Sequence, residues 1–196
     1  EDPSQNLYRR PRVELPGWAE LRSPVNYRSP EVLVSIMNAL GLTDEPLEAG
    51  GAVHGFDPRI HSCPDATAQL ERTGAAVERM LAEGHRSGDI AVISWRGLAT
   101  SLVMQQEWIG SRKTRRFTGQ YTDDGEPIFT DGTLAVETLR RFKGQAADCI
   151  VLTEVDFEEW NDDVRRCLFV GMTRARMKLE LVATERAAEE ICRRLE

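Results

Sequence analysis

Apolar positions recur along this chain at two different periods. Val32, Leu33, Ile36, Met37 and Leu40 repeat at helical spacing on one face. Ser29 is placed to cap that helix, Pro30 suits its first position, Glu31 suits its positive end, and Gly41 stops it. A second helical pattern runs from Asp65 to about Glu83 on Leu70, Val77, Met80 and Leu81, and Gly84 ends it. Leu98, Leu102 and Ile109 mark a third helix. Asn161 caps a fourth, with Asp162 and Asp163 in its first turn and Val164, Cys167, Leu168 and Gly171 on its buried face. Ala188, Ile191, Cys192 and Leu195 mark the last.

Strand patterns lie between them. "GAVHGF" (51–56) reads as a short strand, "DIAVIS" (89–94) as a compact apolar one, and "TLAVETL" (133–139) alternates. "DCIVLTEV" (148–155) is apolar on both faces, as a central parallel strand must be, and "KLELVAT" (178–184) follows the fourth helix. "TDDGEP" (122–127) reads as the tip of a hairpin. Strands thus alternate with helices over nearly the whole length. This predicts an α/β fold: a mainly parallel sheet covered by helices on both faces, with a small β-hairpin. Ligands of such sheets bind beyond the C-terminal ends of the strands.

Length and charge narrow the picture. The chain has 196 residues, enough for one core-forming domain, and a net charge of −7, which argues against nucleic-acid binding by bulk charge. Three runs are nevertheless basic: "RRPR" (9–12), "RKTRR" (112–116) and "RRFK" (140–143). Each alone reads as a solvated face. Together, on an acidic chain, they point to local phosphate binding. No apolar run approaches the ~20 residues that span a bilayer, and no signal peptide opens the chain. It starts without methionine and ends "RRLE", so both ends read as expression boundaries and 195–196 as a cloning scar. Cys63, Cys149, Cys167 and Cys192 form no Cys-x-x-Cys pair and suit a reducing cytoplasm. His54, His61 and Cys63 lack a nearby fourth metal ligand.

A phosphate loop, G-x-x-x-x-G-K-[ST], is absent, and no nucleophile elbow appears. What remains is a set of arginines and polar residues at the ends of core elements. Arg174 is the sharpest case. In "FVGMTRARMKLELV" (169–182) an apolar helical run ends in Thr-Arg-Ala-Arg, with no acid until Glu180. A charge beside an apolar core costs several kcal/mol unless something anionic answers it.

Four segments, in order, resemble motifs of the C-terminal motor domain of UvrD/Rep-type superfamily 1 DNA helicases. "EDPSQNLY" (1–8) resembles the tail of motif III, and "NYRSP" (26–30) resembles motif IV. "TLRRFKGQAAD" (138–148) is similar to motif V, and "RRCLFVGMTRA" (165–175) to motif VI. The resemblance covers almost the whole chain. It implies a second RecA-like domain of P-loop NTPase type spanning 1–196, with 1–24 as a lead-in. It implies that ATP and Mg²⁺ are held mainly by an N-terminal RecA-like domain of the same parent, where the Mg²⁺ ligands lie.

The resemblance also assigns roles. Gln5 would sense the γ-phosphate, Tyr27 would stack on adenine, Arg28 and Arg174 would reach the γ-phosphate, and Gly144 would lie at the nucleotide. Thr138, Arg140, Arg141 and Lys143 would lie along single-stranded DNA. Each position also has a plain structural reading: an exposed arginine, a satellite aromatic, a turn glutamine, or a surface pair between Arg174 or Arg176 and Asp162 or Asp163. The Arg174 guanidinium is expected to stay solvated in an open half-cleft when this domain stands alone.

Two departures from the family pattern stand out. Ala146 occupies the place of a ribose-binding glutamate, and Arg140 that of a histidine. The large subdomain inserted between motifs IV and V in many relatives is absent, as in the compact RecD-like subgroup. The alternative reading is a regulatory or nucleic-acid-binding module that keeps the fold without the ATPase.

Overall fold

A computed structural model describes residues 5–8, 16–17 and 23–196. Its elements are β1 (Val25–Asn26), α1 (Glu31–Ala39), β2 (Glu48–Ala49), β3 (Arg59–Cys63), α2 (Ala66–Ala82), β4 (Ile90–Ser94), β5 (Trp108–Ile109), β6 (Arg112–Tyr121), β7 (Pro127–Phe129), β8 (Leu134–Thr138), β9 (Ala147–Val155), α3 (Asp162–Met172), β10 (Ala175–Thr184) and α4 (Glu185–Leu195). The main sheet runs β3-β10-β9-β4-β8-β6-β5, with β7 beside β6. Every pairing from β3 to β6 is parallel; β5 and β7 pair antiparallel to β6. A separate parallel pair joins β1 and β2.

The two faces of the sheet explain the continuous apolar strands. Ala91 and Ile93 of β4, with Ile150 and Leu152 of β9, pack into one core with α1, α3 and α4. Ile90 and Val92, with Cys149 and Val151, pack into a second core with α2. Both strands are therefore apolar on both faces, and the buried polar residues at their C-terminal ends, Ser94 and Glu154, bond each other. Burial also pushes the Cys149 thiol up to about 12, so it stays a protonated core residue. No helix among the described residues is long and apolar enough to cross a membrane.

Three local expectations fail for identifiable reasons. Residues 51–56 form a strap rather than a strand. Its Val53 and His54 carbonyls accept the first N–H groups of α1, from Glu31 and Val32. Gly55 there has φ +87°, and a Cβ would sit 2.4 Å from Pro30 Cβ, so only glycine fits. Because the strap satisfies the helix end, Ser29 is not its cap: the N-cap is Pro30 and the helix starts at Glu31. The expected helix over 98–109 is a loop with one 3-10 turn, Val103–Gln105, that runs into β5. Side chains take the N–H groups a helix would use: Glu154 accepts from Leu102 and Ser101 Oγ from Met104. Glu154 holds this loop from a left-handed backbone (φ 58°) and also accepts from the Ser94 and Ser101 hydroxyls.

The α2 face carries one buried charge cluster. The carboxylate of Glu180 (β10) accepts from Arg79 Nη2 and pairs with His61 Nε2, both at 2.7 Å, while Lys178 pairs with Glu83. Burial pushes the Glu180 carboxyl up, but its hydrogen bonds with His61 and Arg79 and the attraction of the Arg79 guanidinium outweigh it and hold it at about 2. A carboxylate with a depressed value stabilises the fold fully above its ordinary 4.5 and loses that contribution as pH falls toward 2. Glu180→Gln is therefore expected to cost roughly 3–5 kcal/mol in urea unfolding at neutral pH. It should also remove the part of the acid destabilisation that develops between about pH 4.5 and 2. A neutral substitution would show that Arg79 and His61 find other partners.

Candidate functional site

Between β8 and β9 the chain crosses over without a helix. Residues 139–146 run across the sheet face, anchored by Leu139 and Phe142 in the core. A cleft of about 1180 Å³ opens between this crossover, the end of α3 and the turn after β1. It gathers Gln5, Tyr27, Arg28, Arg140, Arg141, Lys143, Gly144 and Arg174, which are all the residues singled out from sequence except Thr138. Arg140 and Arg141 follow the C-terminal end of β8, whereas Arg174 stands at the start of β10, so the cleft is not confined to the strand C-termini.

Arg174 departs from expectation. Its guanidinium is not solvated; the residue is 1% exposed. Nε donates to Val170 O at 3.0 Å, Nη1 to Gln145 O at 3.1 Å and Nη2 to Thr173 Oγ1 at 3.0 Å. The Val170 carbonyl is one of those that α3 leaves free at its C-terminus, where a cation is favoured. Asp162 and Asp163 pair instead with Arg165 and Arg166. A guanidinium has five N–H groups, so three acceptors leave two for something else. Burial, and then the charge of Arg28, push Arg174 down to about 10. The shift corresponds to roughly 3 kcal/mol against the charge, present through the neutral range and relieved only as pH rises past about 10. An anion would relieve it too.

Arg28 and Tyr27 owe their exposure to Asn26. Its Oδ1 accepts from the backbone N–H of both Arg28 and Ser29 at 2.9 Å, and its Nδ2 donates to Ser29 Oγ. This turn tips Tyr27 outward, 74% exposed. Gly50 of the neighbouring segment makes room: a Cβ there would lie 2.6 Å from Tyr27 Cε1. Asn26 and Gly50 were missed from sequence because neither carries reactive chemistry.

The crossover supplies the remaining charge. Arg140 is exposed, and Lys143 Nζ lies 5.8 Å from the Tyr8 ring centre. Gly144 takes φ +91°, turning the chain toward β9. Arg141 is tied down: it donates to Glu137 at 3.1 Å and lies 3.6 Å over Phe117. Thr138 is 5% exposed at the end of β8 and does not line the cleft. Five cations therefore line the cleft, and no carboxylate does among the described residues. On a chain of net charge −7 this is a strong local segregation.

Residues 133–182 match the family model of the UvrD-like helicase C-terminal domain. That stretch runs from β8 nearly to the end of β10 and contains the crossover and Arg174. No curated protein matches the sequence. Among solved structures, the chain is similar to the C-terminal domain of a possible DNA helicase from Lactobacillus plantarum WCFS1, with a TM-score of 0.58 at 15% identity, over 85% of this chain and 92% of that one. The likeness shows the fold, an α/β arrangement of RecA-like type.

The burial of Arg174 changes what its mutation should do. Arg174→Lys leaves carbonyls of α3 and the crossover without their donors, and is expected to destabilise the domain by roughly 2–4 kcal/mol in denaturant titration. Arg28→Lys, on an exposed turn, should stay within about 0.5 kcal/mol of wild type. Equal stability of the two variants would mean that the Arg174 bonds contribute nothing.

Proposed function

We propose that this chain is the second motor domain of an ATP-dependent DNA helicase or translocase, acting across a domain cleft on ATP held chiefly by an N-terminal RecA-like domain. One observation carries the reading: a buried arginine with two N–H groups to spare shares a cleft, free of carboxylates among the described residues, with a second arginine and an exposed tyrosine. Two cations held together at a cost are pre-organised for an anion. Arginine's planar fork suits phosphate oxygens better than a lysine point charge.

In this reading Arg174 is fixed by the backbone, while Arg28 and Tyr27 sit on a turn that can adjust. Tyr27 offers its ring to the adenine, and Gln5 lies at the same cleft. Bound there with Mg²⁺ on its partner domain, ATP supplies the phosphoryl group whose charge the arginines stabilise. Arg140 and Lys143 offer charge to the backbone of single-stranded DNA, so contacts are independent of sequence. Arg141, held by Glu137, has less freedom for that role, and Thr138 acts from behind the surface. The free cysteines suit the cytoplasm.

A second reading, a regulatory module without ATPase, is favoured by Ala146 alone, which removes a carboxylate from the nucleotide side. Finding a phosphate loop in a preceding part of the parent protein would discriminate in favour of the motor.

The purified chain should turn over no ATP on its own. In the full-length protein, Arg28→Ala should slow ATP hydrolysis by something on the order of the 10³–10⁵-fold ascribed to arginine fingers, without loss of stability. The measurement is steady-state ATPase at saturating single-stranded DNA. Wild-type turnover in that variant would remove Arg28 from the reaction.

A further inference from the structure

The β6–β7 hairpin has no part in the nucleotide reading, yet its surface is continuous with the cleft. Gly119 (φ +87°) lies where the β6–β7 register shifts, between Phe117 and Tyr121. Phe117 and Tyr121, four residues apart, share a face of the strand, and the shift draws them together, with ring centres 5.2 Å apart; Phe129 of β7 lies 6.2 Å from Phe117. Arg141, which lines the cleft, lies over Phe117 and donates to the Tyr121 hydroxyl at 3.4 Å. Arg115 lies 4.2 Å over Phe129, with no ion partner among the described residues. Phe117 is buried packing, whereas Tyr121 is 56% exposed. Charge is segregated along the hairpin: the cations of 112–116 lie at its root, while Asp123, Asp124 and Glu126 cluster at the turn.

We propose that this face is a second contact for single-stranded nucleic acid, with one base stacked on Tyr121 and Arg115 at an adjacent phosphate. The inference extends the nucleic-acid part of the proposed function and rests on it, not on ATP. An exposed ring beside the Arg141 guanidinium accepts any base, because every base has a π-face. A duplex keeps its bases stacked inside and offers Tyr121 nothing, so the occupant is single-stranded. Arg141 joins the two surfaces, touching the ring cluster on one side and the cleft on the other. The acidic turn repels the backbone and sets the outer limit of the track.

The test is fluorescence anisotropy of fluorescein-labelled oligothymidylate with this chain at low salt. Tyr121→Ala should weaken binding by roughly 10-fold. Tyr121→Phe and Tyr121→Trp should bind as wild type, because the ring carries the contact. Arg115→Gln should reduce the slope of log K against log salt by about 0.7, the value of one phosphate on a single strand. Thermal melts by circular dichroism confirm that each variant is folded. Unchanged affinity in Tyr121→Ala overturns the proposal, as does an equal loss in Tyr121→Phe, and as does a wild-type chain that binds no oligonucleotide. Weakening by Arg140→Ala with none from Tyr121→Ala would end the track at the cleft, leaving the nucleic-acid reading intact and the hairpin as packing. The ATP reading fails separately, in the turnover of the Arg28 variant.

Discussion

A guanidinium buried against neutral oxygens is the constraint around which this domain is arranged. Arg174 ties together the end of α3 through Val170, the crossover through Gln145, and its own C-cap through Thr173. Its carbonyl then accepts from Ala147, at the start of β9. These bonds fix the cleft wall without neutralising the charge. A carboxylate in their place would have neutralised the arginine. Carbonyls hold the geometry and leave the charge available.

The rest of the fold serves that arrangement. Alternate residues of β4 and β9 pack into opposite cores, so the central strands are immobile from both sides. The eight-residue crossover has no helix, and the cleft opens beside it. The strap at 51–56 caps α1 with backbone carbonyls, which frees the turn at Asn26 to present Tyr27 and Arg28 outward. The charge cluster around Glu180 lies on the α2 face, in a different layer from the cleft, and belongs to stability.

Much of this was legible in the sequence. The apolar strands at 89–94 and 148–155 and the Asn161 cap followed from periodicity and capping chemistry, and the structure has all three. Eight of the nine residues singled out from the motif-like segments line one cleft. Sequence failed where side chains or distant backbone take over hydrogen bonds. Nothing local marks Val53 and His54 as the cap of α1, or Glu154 as the acceptor that unravels the expected helix at 98–109. The burial of Arg174 was illegible for the same reason: its acceptors are mostly main-chain oxygens, which every residue has. Asn26 and Gly50 act through a turn and through absent volume, and neither leaves a chemical signature.

The central claim is that Arg174 is held by backbone oxygens and still answers an anion together with Arg28. Side-chain ¹⁵N NMR of arginine-labelled protein, titrated with pyrophosphate at constant ionic strength, tests this directly. The account predicts an Arg174 Nε–H signal protected from solvent exchange before any ligand is added, which then shifts on titration in parallel with that of Arg28. An Arg174 signal that exchanges freely, or one that stays unmoved while surface arginines shift, would contradict it.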